Sequence, residues 1–152
     1  MKQFEFRLQK VMETTRTREE MQKRELAKAL SVLLSNEQLL EKMFDRLEEQ
    51  IGEYNSRRQA SSMKASEMLA YSAYTEKLGA DIRQQKKAIE KLALLVQQHR
   101  EKLIEISKDK KMLEKLKEKK YEEYRKKLRT MEQKFMDEMS ARSFTNGRSE
   151  GQ

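Results

Sequence analysis

No proline interrupts this chain of 152 residues, and it holds only four glycines. A compact globule needs many turns, and turns recruit those two residues for their special backbone angles. A chain with almost none of either is long helix or disorder. Disorder is disfavoured because 36% of the residues are hydrophobic and recur at helical spacing. Glu, Lys, Gln, Arg, Leu, Met and Ala dominate the composition, and these are strong helix formers.

Two stretches carry heptads. From Leu26, positions 26, 30, 33, 37, 40, 44, 47, 51 and 54 step by alternating fours and threes, and all but Glu37 are apolar or aromatic. Such a stripe faces a partner helix as the a and d seam of a coiled coil. Phe4, Leu8 and Val11 start a similar seam, which reaches Leu26 through Thr15, Arg18 and Gln22 only with a local phase shift. A second seam runs through Leu78, Ile82, Ile89, Val96 and Leu103, with Leu92, Ile106 and Leu113 on the companion row. Gln85, His99 and Lys110 are its polar interruptions. Between Leu113 and Tyr124 the step is eleven, which locally relaxes a left-handed supercoil. The pattern resumes at Tyr124, Leu128, Met131 and Phe135.

Between the seams lies SRRQASSMKASEMLAYSAY, rich in Ala and Ser and poor in heptad order. The expected fold is all-α: two long helices in an antiparallel coiled-coil hairpin, with helix 1 at about 3–57, a bend at about 57–66 and helix 2 at about 66–139. Ser61 and Ser62 are available there as helix caps. The coiled coil occupies 1–140; SARSFTNGRSEGQ loses all period, and 141–152 reads as a disordered tail. The seam alone does not fix the register, because pairings seven residues apart fill it almost equally well. A hairpin closes its own seam, so a monomer is expected in isolation. One continuous helix would instead have to dimerise.

Several function classes fall away. There is no cysteine, so neither a disulfide framework nor a thiolate site exists. The single His99 falls on a seam position with no second His, and a zinc site needs three or four good ligands. It reads as a structural histidine, and no metal or cofactor is expected. Glycine-rich phosphate loops and a nucleophile beside a base are absent from the sequence, so no enzyme activity is expected. MKQFEFRLQK alternates charge with apolar residues and does not read as a signal peptide. The longest apolar run, LALLV, is far short of the roughly 20 residues that span a bilayer. A cytoplasmic protein is expected.

Charge is unevenly placed. Residues 108–129 hold 11 basic and 5 acidic side chains, which is +6 of the net +8. Residues 36–53 hold six acids and two bases. The basic segment allows four readings: a solvated coiled-coil face, a protein-docking surface, a membrane-surface face, which would want a broad apolar face and not a narrow seam, or a phosphate grip of strong salt dependence. Interleaved acids dilute the last. The competing functional readings are a homodimeric coiled-coil adaptor and a nucleic-acid-binding rod that uses 108–129.

Two segments are more specific. FEFRLQKVMETTRTREE resembles the opening of the bacterial flagellar FliJ family, an aromatic-rich F-x-Arg-Leu-x-x-Val pattern. LAYSAYTEKLGADIRQQKKAI and LEKLKEKKYEEYRKKLRTMEQKFMDE follow the family's motif order. It runs through aromatics before Leu and Ile, a Gln-Gln pair, a Leu-Glu-Lys-Leu core, a Tyr, Glu-Gln and a closing Asp-Glu. The resemblance covers residues 4–140.

That resemblance implies an antiparallel two-helix stalk of the flagellar type III export apparatus, without catalytic activity of its own. Its implied partners are the export ATPase hexamer, the cytosolic domain of the export gate and the export chaperones, with no nucleic acid. It implies peripheral association, through proteins, with the cytoplasmic face of the inner membrane at the flagellar base. Leu47, Tyr54, Tyr74 and Leu78 match the family's gate-contact patch. Gln50 stands where a further aromatic is expected, and Asp81 where a small residue is. Lys119, Lys120, Lys126 and Lys127, in the basic segment, are the expected contacts with the ATPase.

Overall fold

The structure is a computed structural model that describes residues 3–149. It is all-helical over the described residues: α1 is Gln9–Gln59 and α2 is Ala65–Ser149. The chain divides into two compact units, one of Glu19–Glu105 and one of Met1–Arg18 with Ile106–Gln152. Each contains a stretch of both helices.

In Glu19–Glu105 the helices meet along one narrow seam. On α2 the covered seam positions are Leu78, Ile82, Gln85, Ile89, Leu92, Val96, His99 and Leu103, as the heptads predict. On α1 only one of the two expected rows is inside. Leu26, Leu33, Leu40, Leu47 and Tyr54 are covered, but their companions are Ala29, Asn36, Met43 and Gln50. The expected companions Leu30, Glu37, Phe44 and Ile51 are exposed, Phe44 at 42% and Ile51 at 44%. The two rows are one residue apart, so hydrophobicity alone favours the greasier one.

Polar bonding selects the other. Gln85 Nε2 donates to Asn36 Oδ1 at 2.9 Å and to the Asn36 carbonyl at 3.1 Å. Gln22 Nε2 donates to the His99 carbonyl at 3.1 Å and lies 2.9 Å from His99 Nδ1, an acceptor in the Nε2–H tautomer. Both layers are part-buried. Gln22 and Asn36 are two heptads apart, as are Gln85 and His99, so the layers demand the same register. A polar group at a seam position fixes register in this way, because a slipped pairing strands it among apolar neighbours. The exposed Phe44 has a different partner, the Lys86 ammonium, 5.2 Å from its ring centre.

The reversal occupies residues 60–64, inside the same unit. Ser61 N–H donates to the Arg58 carbonyl and Ser62 N–H to the Arg57 carbonyl, both at 3.2 Å. Ser61 takes a φ of 53°, so the end of α1 is a Schellman motif with serine at the left-handed position that usually holds glycine. The serines therefore close α1; they do not start α2. At the start of α2, Glu67 accepts from the Lys64 backbone N–H at 3.1 Å, as the third helical residue does in a capping box. The same carboxylate pairs with Arg57 at 3.1 Å, tying the two helix ends together.

In the unit of Met1–Arg18 and Ile106–Gln152, α1 starts at Gln9, later than the expected start near residue 3. Residues two apart share a side in extended chain but face away from each other in a helix. The non-helical run before Gln9 lets Phe6 bury while Phe4 lays its ring on Tyr121 and Tyr124, at centroid distances of 5.2 and 5.6 Å. The covered residues of α1 are then Leu8, Met12 and Thr15. Met12 is 1% exposed, while the expected seam residue Val11 is 49% exposed. No phase shift is needed: fours and threes run unbroken from Leu8 to Tyr54, with Thr15, Glu19, Gln22, Asn36 and Gln50 at the polar steps.

On α2 the covered positions are Ile106, Lys110, Leu113, Lys117, Tyr124 and Leu128. The eleven-residue step from Leu113 to Tyr124 is present, filled by Lys117 and by Tyr121 under Phe4. Beyond Leu128 every described side chain to Phe144 is exposed. The backbone stays helical to Ser149, through residues 141–149 of the segment expected to be a disordered tail. Residues 150–152 lie outside the described residues.

Candidate partner-binding surfaces

Around the reversal, Tyr54 stacks on Tyr71 at 4.0 Å and 10° between ring planes. Gln50, Tyr54, Met63, Tyr71 and Tyr74 line a shallow hollow there, with Glu53, Arg57 and Glu67 among its charged members. The structure thus brings Tyr54 and Tyr74 of the expected gate patch to one place. It puts Leu78 in the core and Leu47 half-buried in the seam. Tyr74 is 40% exposed. Gln50 is a half-buried seam residue as well as part of the hollow's lining. Asp81 is half-buried and does not line it.

Tyr71 was missed in the sequence, although a signal existed. It lies one heptad before Leu78, as Tyr54 lies one heptad after Leu47, so extending both rows brings the two rings together. Glu67, which closes this end, holds its proton less tightly than an ordinary carboxyl. The main cause is the hydrogen bond from the Lys64 backbone, followed by the charge of Arg57.

The second surface lies in the unit containing the basic segment. Lys119, Lys120, Lys126 and Lys127 are all exposed. Lys120 Nζ donates to Glu123 Oε2 at 2.9 Å, one turn on. This bond, and then the charges of Lys120, Lys119 and Lys127, depress the Glu123 pKa. Glu123 therefore stays ionised among the lysines at neutral pH. The bond joins two exposed groups, so its contribution to stability is small.

Lys120 and Lys127 border a hollow with Phe4, Phe6, Leu8, Leu116 and Tyr124. Lys119 borders a neighbouring groove. Lys119, Lys120 and Lys127 thus rim apolar ground, which the sequence alone does not reveal. Among the described residues no group of three or more His, Cys, Asp or Glu side chains could hold a metal ion. No helix among them is long and apolar enough to cross a membrane.

The family model described as Flagellar FliJ protein matches residues 4–149. No curated protein and no solved structure matches the chain.

Proposed function

The chain belongs to the flagellar FliJ family, a non-catalytic component of the flagellar export apparatus, and from that premise we propose that it works as a stalk between two protein partners. The unit with the basic segment engages the export ATPase ring. The hollow at the reversal engages the cytosolic domain of the export gate, and export chaperones are handled on the same molecule. The protein reaches the cytoplasmic face of the membrane through these partners, as a monomer before assembly.

The observation that carries this reading is the concentration of exposed cations, Lys119, Lys120, Lys126 and Lys127, in one unit. A stalk must make and break contacts with successive ring subunits. Exposed charge suits that need, because each pair contributes under about 1 kcal/mol and is screened by salt. At the other surface Tyr74 offers an exposed ring, while Leu47 and Leu78 act through the helix pairing that presents it.

The test is ATPase stimulation by the purified protein. Changing Lys119, Lys120, Lys126 and Lys127 together to Glu should weaken stimulation while leaving the helical content unchanged. Full stimulation by such a helical variant would overturn the assignment of this unit to the ring.

A further inference from the structure

The two flanks of the seam differ in the unit of Met1–Arg18 and Ile106–Gln152. One flank is closed by polar contacts. Arg16 pairs with Glu114 at 3.8 Å, and Lys117 Nζ donates to Gln9 Oε1 at 2.9 Å. The opposite flank has an apolar floor. Val11 of α1 and Met112 and Leu116 of α2 form it, with Met112 67% exposed and Leu116 37% exposed. Arg18, Lys115 and Lys119 rim it, and Asp109 is the single acid of the lining.

We propose that this groove is a docking site for an acidic amphipathic helix of a partner protein, which packs as a third helix against α1 and α2. The spacing suits that occupant. Met112 and Leu116 are four apart on α2, so they stack one turn above the other, and Val11 faces them from α1. This is the arrangement a helix-in-groove partner reads with its own i, i+3, i+4 and i+7 anchors. The rim then selects the charge. Side chains flanking a coiled-coil seam pair across it, so glutamates on the incoming helix meet Arg18, Lys115 and Lys119, whereas lysines meet like charge. A nucleic acid would satisfy the rim and leave the floor in water; an anionic amphipathic helix satisfies both.

The proposal names the secondary structure and charge of what is gripped, and it does not depend on the stalk reading. Its test accordingly uses no export protein. Two labelled peptides of roughly three heptads, with leucine at the a and d positions and either glutamate or lysine flanking them, are titrated against the full-length protein by fluorescence anisotropy. The glutamate peptide should bind, more weakly as salt rises, and the lysine peptide should not. Met112→Glu with Leu116→Glu should weaken binding at least about tenfold, as loss of central anchors does.

Arg18→Glu, Lys115→Glu and Lys119→Glu together should reverse the preference towards the lysine peptide. These side chains are exposed, so circular dichroism and the melting temperature should stay close to those of the parent. Binding of both peptides equally, binding of neither, or binding indifferent to the substitutions would overturn the proposal. Failure of ATPase stimulation with peptide binding intact would overturn only the stalk reading.

Discussion

The two units close the same kind of seam with polar groups aimed in opposite directions. In Glu19–Glu105 the amides of Gln22, Asn36 and Gln85 turn inward and bond across the seam. In Met1–Arg18 with Ile106–Gln152, aromatic rings and Met12 fill the interface, and the lysines of 108–129 mostly turn outward. Inward polarity specifies which residues pair. Outward polarity specifies what approaches. One unit is built to have a single self-pairing and the other to present a surface, on the same two helices.

Deleting core volume should show first whether the units behave as separate bodies. Ile82→Ala and Met12→Ala each remove a buried side chain, and each should cost about 2–4 kcal/mol within its own unit. Hydrogen exchange by mass spectrometry should find lost protection within 19–105 for the first. For the second it should find the loss in the residues before 19 and after 105. Loss spread evenly over the chain in both variants would erase the distinction.

The polar layers come next in size. Asn36→Leu removes the Oδ1 acceptor and leaves the Gln85 amide only the backbone carbonyl of residue 36, and it should cost about 1 kcal/mol in urea unfolding. Adding Gln85→Leu should recover that loss while admitting more than one register, detectable as several distances between spin labels on α1 and α2. A single sharp distance in the double variant would mean that the layers do not specify pairing. The reversal should respond less. Ser61→Gly removes a side chain from a left-handed backbone position and should stabilise the protein by about 0.5–1 kcal/mol.

The smallest effect is electrostatic. The Glu67 carboxyl titrates lower in the folded chain than its ordinary value of 4.5. Its stabilisation is therefore present above that value and is lost as pH falls through the folded one. Glu67→Gln should flatten the acid limb of the stability curve slightly and leave the shape of the curve above neutral pH unchanged from the parent. An acid limb unchanged from the parent would show that Glu67 does not tie the helix ends.

Helix 2 was legible in full over its heptads because a single apolar row pair exists there. Leu78, Ile82 and Ile89 have no large apolar rival one residue away; only Val96 does, in Leu95. Helix 1 was half legible, since Leu30, Phe44 and Ile51 outweigh Ala29, Asn36 and Gln50 on any hydrophobic scale. What settles the choice is hydrogen bonding to residues more than forty-five positions away, which no local pattern contains. The same limit hid the apolar ground under the lysines. Val11 looked like seam, and only its displacement by Met12 leaves it facing outward beside Leu116.

The two amide layers and the reversal act together as a measuring device with two scales. A slip of one heptad would set Asn36 against Leu78 or Leu92 and Gln85 against Ala29 or Met43, failing both layers at once. At about 1–3 kcal/mol for each layer lost, such a state is disfavoured by roughly thirtyfold or more. A slip of two heptads could pair polar residues again, as Asn36 with His99. It would also move the reversal along the chain by a whole heptad, away from Ser61 and Glu67. The layers read the fine position and the reversal reads the coarse one, so an error that passes one gauge is caught by the other.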